Sequence, residues 1–206
     1  MKTLVGRFLG TLVLLATASA ALAQATGMLD LVSGDASYSS GNARGKAAPY
    51  MKVEEGDRLI LAANARLRVV YFSGGRQETY IGPARFTVGR TASRQEAGAS
   101  AQVALLPAAI SQKIERIPEL VALARLGAPG GTVVRGARHH ADERELAAAR
   151  EGYERLRASA AADDILPELY LYAVLRDAQR YDELDPLVEE MQRRRPSDEA
   201  VRLLRR

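Results

Sequence analysis

The stretch Ala65-Arg66-Leu67-Arg68-Val69-Val70-Tyr71-Phe72 constrains the fold of this chain most. Its β-branched and aromatic residues favour a strand, and a strand sends successive side chains to opposite faces. Val69 and Tyr71 then share one face while Val70 and Phe72 share the other, so water suits neither. Ser73-Gly74-Gly75 turns the chain through the positive φ that glycine permits, and Arg76 to Ile81 returns as a second strand. With a two-residue turn at Gly74-Gly75, Val69 is expected opposite Tyr80 and Tyr71 opposite Glu78. A hairpin covered on both faces implies a sandwich, or a sheet with a helix laid on it. From Gly27 to about Leu106, short runs of this kind alternate with Gly, Asn, Asp and Pro at intervals of about 8 to 12 residues. The N-terminal part is therefore expected to be a small antiparallel β-sandwich or barrel-like domain.

What precedes that domain looks like an address. Lys2 and Arg7 are followed by an uncharged apolar run from Phe8 to Leu22, and Ala21-Leu22-Ala23 before Gln24 fits a small-x-small cleavage site. A secretory signal peptide over 1–23, cut between Ala23 and Gln24, predicts an exported, periplasmic chain. The run offers roughly 15 apolar residues where about 20 are needed to span a bilayer, and no later segment is longer, so no transmembrane segment is expected in the mature chain. The sequence has no Cys and two His, adjacent at His139 and His140. That removes disulfides, thiolate catalysis and cysteine-ligated metals, and leaves too few imidazoles for a cage. Ser33 and Ser73 have no base at a telling spacing, and Asp163-Asp164 reads as a solvated turn or helix cap. No catalytic residue, metal or cofactor is expected.

Helices are expected beyond the β-region. Ile110, Ile114, Ile117, Val121 and Ala124 recur at helical spacing and form one apolar stripe, interrupted by Pro118. Two short helices are predicted, the second opening at Pro118, with the stripe covering a face of the β-domain. Gly127 to Gly131 ends this connector, and Thr132 to Arg135 reads as a short strand. Asp142 with Glu145 has the spacing of a capping box, and Leu146, Ala149, Tyr153 and Leu156 continue a long helix to about Ala160. Leu166 to Gln179 gives a second, with Leu171, Val174 and Leu175 on its buried side. Tyr181 to Arg194 gives a third, and a short fourth starts after a Ser197 cap.

Charge is divided along the chain. Residues 24–141 hold 15 Lys+Arg against 9 Asp+Glu, whereas residues 142–192 hold 6 against 14. The tail from Arg193 to Arg206 is basic again. No basic stripe interleaves with aromatics, so no nucleic acid is expected as a partner.

Leu31-Val32-Ser33-Gly34-Asp35-Ala36, Val53-Glu54-Glu55-Gly56-Asp57-Arg58-Leu59, Ser73-Gly74-Gly75 and Ile81-Gly82-Pro83-Ala84-Arg85-Phe86-Thr87-Val88 follow one another as in FecR-like domains. The region resembles that family over roughly 28–90, which implies a compact periplasmic β-domain. FecR proteins that regulate sigma factors also carry a cytoplasmic segment and one transmembrane helix, which this chain does not match. Tyr181-Asp182-Glu183-Leu184 resembles the inter-helix turn of a tetratricopeptide repeat, making Ile165 to Asp198 one unit with Pro196 as its terminal proline. Tyr172 and Leu184 are larger than that repeat's small slots. The expected organisation is α+β: signal peptide 1–23, FecR-like β-domain 24–106, helical connector and Gly/Pro linker 107–141, and tetratricopeptide-like α-hairpins 142–206. The resemblances imply a non-enzymatic binding or scaffold protein of the bacterial envelope, its helices meeting an envelope protein or peptide through Glu168, Tyr172, Arg176, Tyr181 and Glu183. The alternative is a peptidoglycan- or polysaccharide-binding module stacking ligand on Tyr38 and Tyr50. A FecR-type signalling component or an envelope hydrolase with a paired carboxylate ranks below both. Cores this small are marginal alone, so the halves are expected to pack on each other or on a partner.

Overall fold

The hairpin that demands cover on both faces receives it from two different sources. In the computed structural model, which describes residues 24–126 and 143–205, the chain first builds strands and then helices. The strands are β1 (Ala25–Ser33), β2 (Ala36–Ser40), β3 (Ala43–Lys46), β4 (Lys52–Glu54), β5 (Arg58–Leu61), β6 (Arg66–Tyr71), β7 (Arg76–Ile81), β8 (Ala84–Thr87), β9 (Arg94–Ala97) and β10 (Gln102–Leu105). They form two antiparallel five-stranded sheets, ordered β10-β7-β6-β1-β4 and β3-β2-β5-β8-β9. Leu29, Leu67, Val69, Tyr71 and Tyr80 of the first sheet share one core with Leu59, Leu61, Ala84 and Phe86 of the second. The rings of Tyr80 and Phe86 stack there with centroids 3.9 Å apart. Met28 and Val70 point the other way, into a second core that is otherwise mostly helical.

The hairpin register differs from expectation by two residues. Leu67 pairs with Tyr80 and Val69 with Glu78, and the loop is the longer Phe72-Ser73-Gly74-Gly75. Because side chains alternate with period two, a shift of two leaves every residue on its expected face. Gly74 and Gly75 both take positive φ, 79° and 64°. At Gly75 space is also short: a Cβ there would lie 2.4 Å from the Leu106 carbonyl oxygen.

The connector forms α1 (Ala108–Ile114) and α2 (Ile117–Arg125), with Pro118 in the first turn of α2. There the missing N–H costs no helical hydrogen bond. Ile110, Ile114, Ile117 and Val121 are buried in the same core as Met28 and Val70. The stripe does more than cover a sheet, because α1 also packs on α4 (Leu166–Asp177) and α2 on α6 (Glu199–Leu203). Between them run α3 (Glu143–Ser159), a single 3-10 turn (Tyr181–Glu183) and α5 (Leu184–Arg194). Every residue of α4 from Leu166 to Leu175 is buried, so this helix keeps no polar face. The α6 cap is Asp198, not Ser197: its side chain accepts from the Ala200 and Val201 amides at 3.1 and 3.4 Å. The leader-like segment, Gly127 to Gly131, Thr132 to Arg135, His139-His140 and Asp142 lie outside the described residues.

Candidate binding groove

Leucines spaced one turn apart on α4, Leu171 and Leu175, form the floor of an open groove of about 250 Å³. Tyr153 of α3 lines one side, while Pro186 and Leu187 of α5 line the other. Two carboxylates, Glu183 and Glu190, complete the lining, and arginines engage both. Glu183 receives Arg150 at 2.8 Å and Arg180 at 2.7 Å. Glu190 is held by Arg193 and by Arg194, the latter at 2.7 Å. The hydrogen bond from Arg193 holds the Glu190 carboxyl below the usual carboxylate range. The groove thus joins an apolar floor to carboxylates whose charge is locally balanced.

On the same face of α4 as the two leucines, three residues before Leu171, lies a fully buried carboxylate. Glu168 of α4 accepts from Arg157 at 3.2 and 3.3 Å and from the Tyr153 hydroxyl at 3.5 Å, with Arg194 Nε 3.4 Å away. Burial, together with the Glu168 charge, pushes the Tyr153 phenol up, so it stays a donor. Arg157 also donates to the carbonyls of Ala160, at 3.1 Å, and of Asp164, closing the end of α3 where cations suit the helix dipole.

A second ionic cluster seats the helices on the sheet. Between Leu29 and Leu31 the β1–β6 register slips, and Asp30 is the extra residue of that bulge. A bulge re-aims a side chain, and here it delivers the Asp30 carboxylate to Arg68 Nε at 2.9 Å. The other edge of the same guanidinium makes two parallel bonds of 2.6 Å to Asp164, in the loop before α4. Burial would raise the Asp164 pKa, but the Arg68 hydrogen bonds and charge outweigh it and hold the carboxyl below its usual value. Arg195, just beyond α5, donates to the Asp30 carbonyl at 2.7 Å, and the Tyr50 hydroxyl donates to Asp198 at 2.7 Å. Tyr50 adopts a φ of 65°, unusual for a residue with a side chain, while buried in this junction.

A third cluster, Glu78 with Arg76, Ser93 and Tyr80, closes on itself inside the two-sheet core. Glu78 accepts from Arg76 at 2.6 Å, the Ser93 amide at 3.1 Å and the Tyr80 hydroxyl at 3.2 Å. Burial pushes the Tyr80 phenol up to about 12.

These positions revise the expected partner surface. Glu168 and Tyr172 do not face a partner, because both side chains are buried: Glu168 is paired with Arg157 and Arg194, and the Tyr172 hydroxyl donates to the Leu204 carbonyl at 3.1 Å. Arg176 and Tyr181 are half-buried, and of the five residues Glu183 alone lines the groove. Tyr50 is not a stacking platform, since its ring is buried and its hydroxyl is engaged by Asp198. Tyr38 is half-buried, its ring edge against Gly45 across the β2–β3 pair. Gln24 is exposed, and Ala23 lies outside the described residues. Asp163 is exposed in its turn and meets Arg66 at 3.0 Å, whereas Asp164 accepts from the Leu166 amide at 2.9 Å at the start of α4 and is otherwise nearly buried on Arg68, a burial not expected from the sequence. The groove residues Tyr153, Leu171, Leu175 and Leu187 carry a signal in helical spacing, but that spacing reads equally as core.

No family model, no curated protein and no solved structure matches the chain. Among the described residues no three His, Cys, Asp or Glu side chains are grouped to hold a metal ion, and no helix is long and apolar enough to cross a membrane.

Proposed function

We propose that this chain is an exported, non-enzymatic binding or scaffold protein of the bacterial cell envelope, in which a FecR-like β-domain carries tetratricopeptide-like helices. Its partner is an envelope protein that lays a peptide with apolar side chains into the α3–α4–α5 groove. The observation that supports this reading best is the groove itself: an apolar floor whose two lining carboxylates are already committed to arginines. A carboxylate held in that way suits positioning and rim contacts better than acid–base chemistry, which needs a group free to exchange its proton at working pH. Leader-like residues ahead of Gln24 support export, and the motif order along 28–90 supports the FecR-like assignment.

Pro186 is exposed at the groove wall, so Pro186→Arg obstructs the groove without disturbing a buried contact. With tagged protein and solubilised envelope, this variant is expected to lose the captured partner while its thermal melt matches the parent. Capture that survives the substitution would remove the groove from the binding surface. Sedimentation with purified peptidoglycan, undiminished in Pro186→Arg and unaccompanied by protein capture in the parent, would favour the polysaccharide reading.

A further inference from the structure

Among the described residues, the two sheets end in four edge strands, β3, β4, β9 and β10. An edge strand offers unpaired N–H and C=O groups to any passing chain, and proteins blunt such edges with charge, brevity or a bulge. Here β3 carries Arg44 and Lys46, and β9 carries Arg94 and Glu96. β4 is three residues long, carries Lys52 and Glu54, and meets β1 at a register slip. β10 is as short as β3 and β9 but carries neither a charge nor a bulge. Gln102-Val103-Ala104-Leu105 is uncharged and exposed throughout, with Val103 48% and Leu105 73% exposed. Residues two apart share a strand face, so both apolar side chains stand on the same side of an open edge.

The ladder fixes where its free backbone groups point. The Leu106 amide donates to the Gly75 carbonyl at 2.8 Å, continuing the β10–β7 register. Antiparallel residues alternate between facing one neighbour and the other, so Ala104 also faces β7 while Val103 and Leu105 turn their amides and carbonyls outward.

We infer that β10 pairs antiparallel with β10 of a second copy of this chain, about a twofold axis at Ala104, joining two five-stranded sheets into one. The occupant follows from the strand's self-complementarity. A twofold axis normal to a sheet sets one residue opposite its own copy, and the interface is then the same patch used twice. Centred on Ala104, this pairing sets Val103 against the second copy's Leu105, and Leu105 against the second copy's Val103. The outward-facing amides of these residues then meet each other. Centred on Val103, it would leave Leu105 opposite Ala101. A charged foreign strand finds no countercharge among the four residues of β10.

The absence of Cys from the sequence makes one introduced thiol specific. In the full chain, mild oxidation of Ala104→Cys is expected to give a covalent dimer, because residue 104 meets its copy as a non-hydrogen-bonded pair, whose Cα atoms stand about 4.5 Å apart, within the roughly 4.4–6.8 Å that a disulfide spans. Val103→Cys, displaced from the axis, is expected to stay uncoupled. Light scattering over a concentration series is expected to show a dimer for the parent and a monomer for Leu105→Lys, with an unchanged circular dichroism spectrum. Should that lysine variant unfold, Val103→Pro removes one outward N–H while leaving the β7 ladder intact and is expected to be monomeric. A monomeric parent, a dimer that survives the folded variant, or coupling through Val103→Cys in preference to Ala104→Cys would each overturn the inference. So would a monomer that takes up an extended uncharged peptide at β10, which would assign the edge to a foreign strand.

Discussion

Arg68 sits on a strand face that must be covered, held between a carboxylate 38 residues before it and another 96 residues after it. Removing the cation would strand two buried negative charges, so Arg68→Met is expected to lower stability by about 3–5 kcal/mol in urea unfolding. The acid side of the stability profile should carry the same signature. Asp164 has a folded pKa below its unfolded value, so its contribution is complete above the ordinary carboxylate range and drains away as pH falls through the lowered folded value. Asp164→Asn is expected to be less stable than the parent at neutral pH and to lose less on acidification, the two curves converging once pH falls below the lowered folded value. At this scale the sequence was half legible. The alternation of β6 places Arg68 on the same face as Val70, and a charge there requires a counter-charge. Which acid supplies it depends on how the loop before α4 lies on the sheet, so Asp163-Asp164 in isolation reads as an ordinary turn.

The hairpin β6–β7 shows what local pattern settles for an element and what it leaves open. Alternation assigned every side chain of β6 to its face, because that depends only on parity; the pairing register depends on loop length, which residue types specify poorly when Ser73, Gly74 and Gly75 all suit a turn. The longer loop presses Gly75 against the end of β10. Gly75→Ala forces a left-handed residue with a Cβ into the Leu106 carbonyl, and a cost of at least about 1–3 kcal/mol is expected in thermal or urea unfolding. In α4 the misreading was of another kind. Glu168 marks a helix as having a wet face only if no buried arginine awaits it, and Arg157 and Arg194 approach from α3 and α5, elements whose packing no periodicity encodes.

Across the whole molecule, the opposed charge blocks visible in the sequence find part of their use inside it. Arg66 and Arg68 of the basic half meet Asp163 and Asp164 of the acidic half, so some of the negative charge of that half is consumed by the chain itself. Sheet and helices also share an apolar core through Met28, Tyr50 and Val70. The two halves are therefore expected to melt together: calorimetry should give one transition with equal calorimetric and van't Hoff enthalpies, and two resolved transitions would show that the halves fold separately. The need for such docking was readable from the small size of each core, and so were the stripe from Ile110 to Val121 and the Val70 face it covers, while the part that α4 to α6 play in the junction was not. The bond from Arg195 to the Asp30 carbonyl, spanning 165 residues, has a kinetic consequence. A chain synthesised from its N-terminus exposes β1 first, yet the outer face of that strand is finished only when Arg195 and Asp198 arrive. Loss of the segment from Arg195 to Leu204 is therefore expected to leave Met28 and Tyr50 less covered, which faster proteolysis of a chain shortened at Arg194 would show.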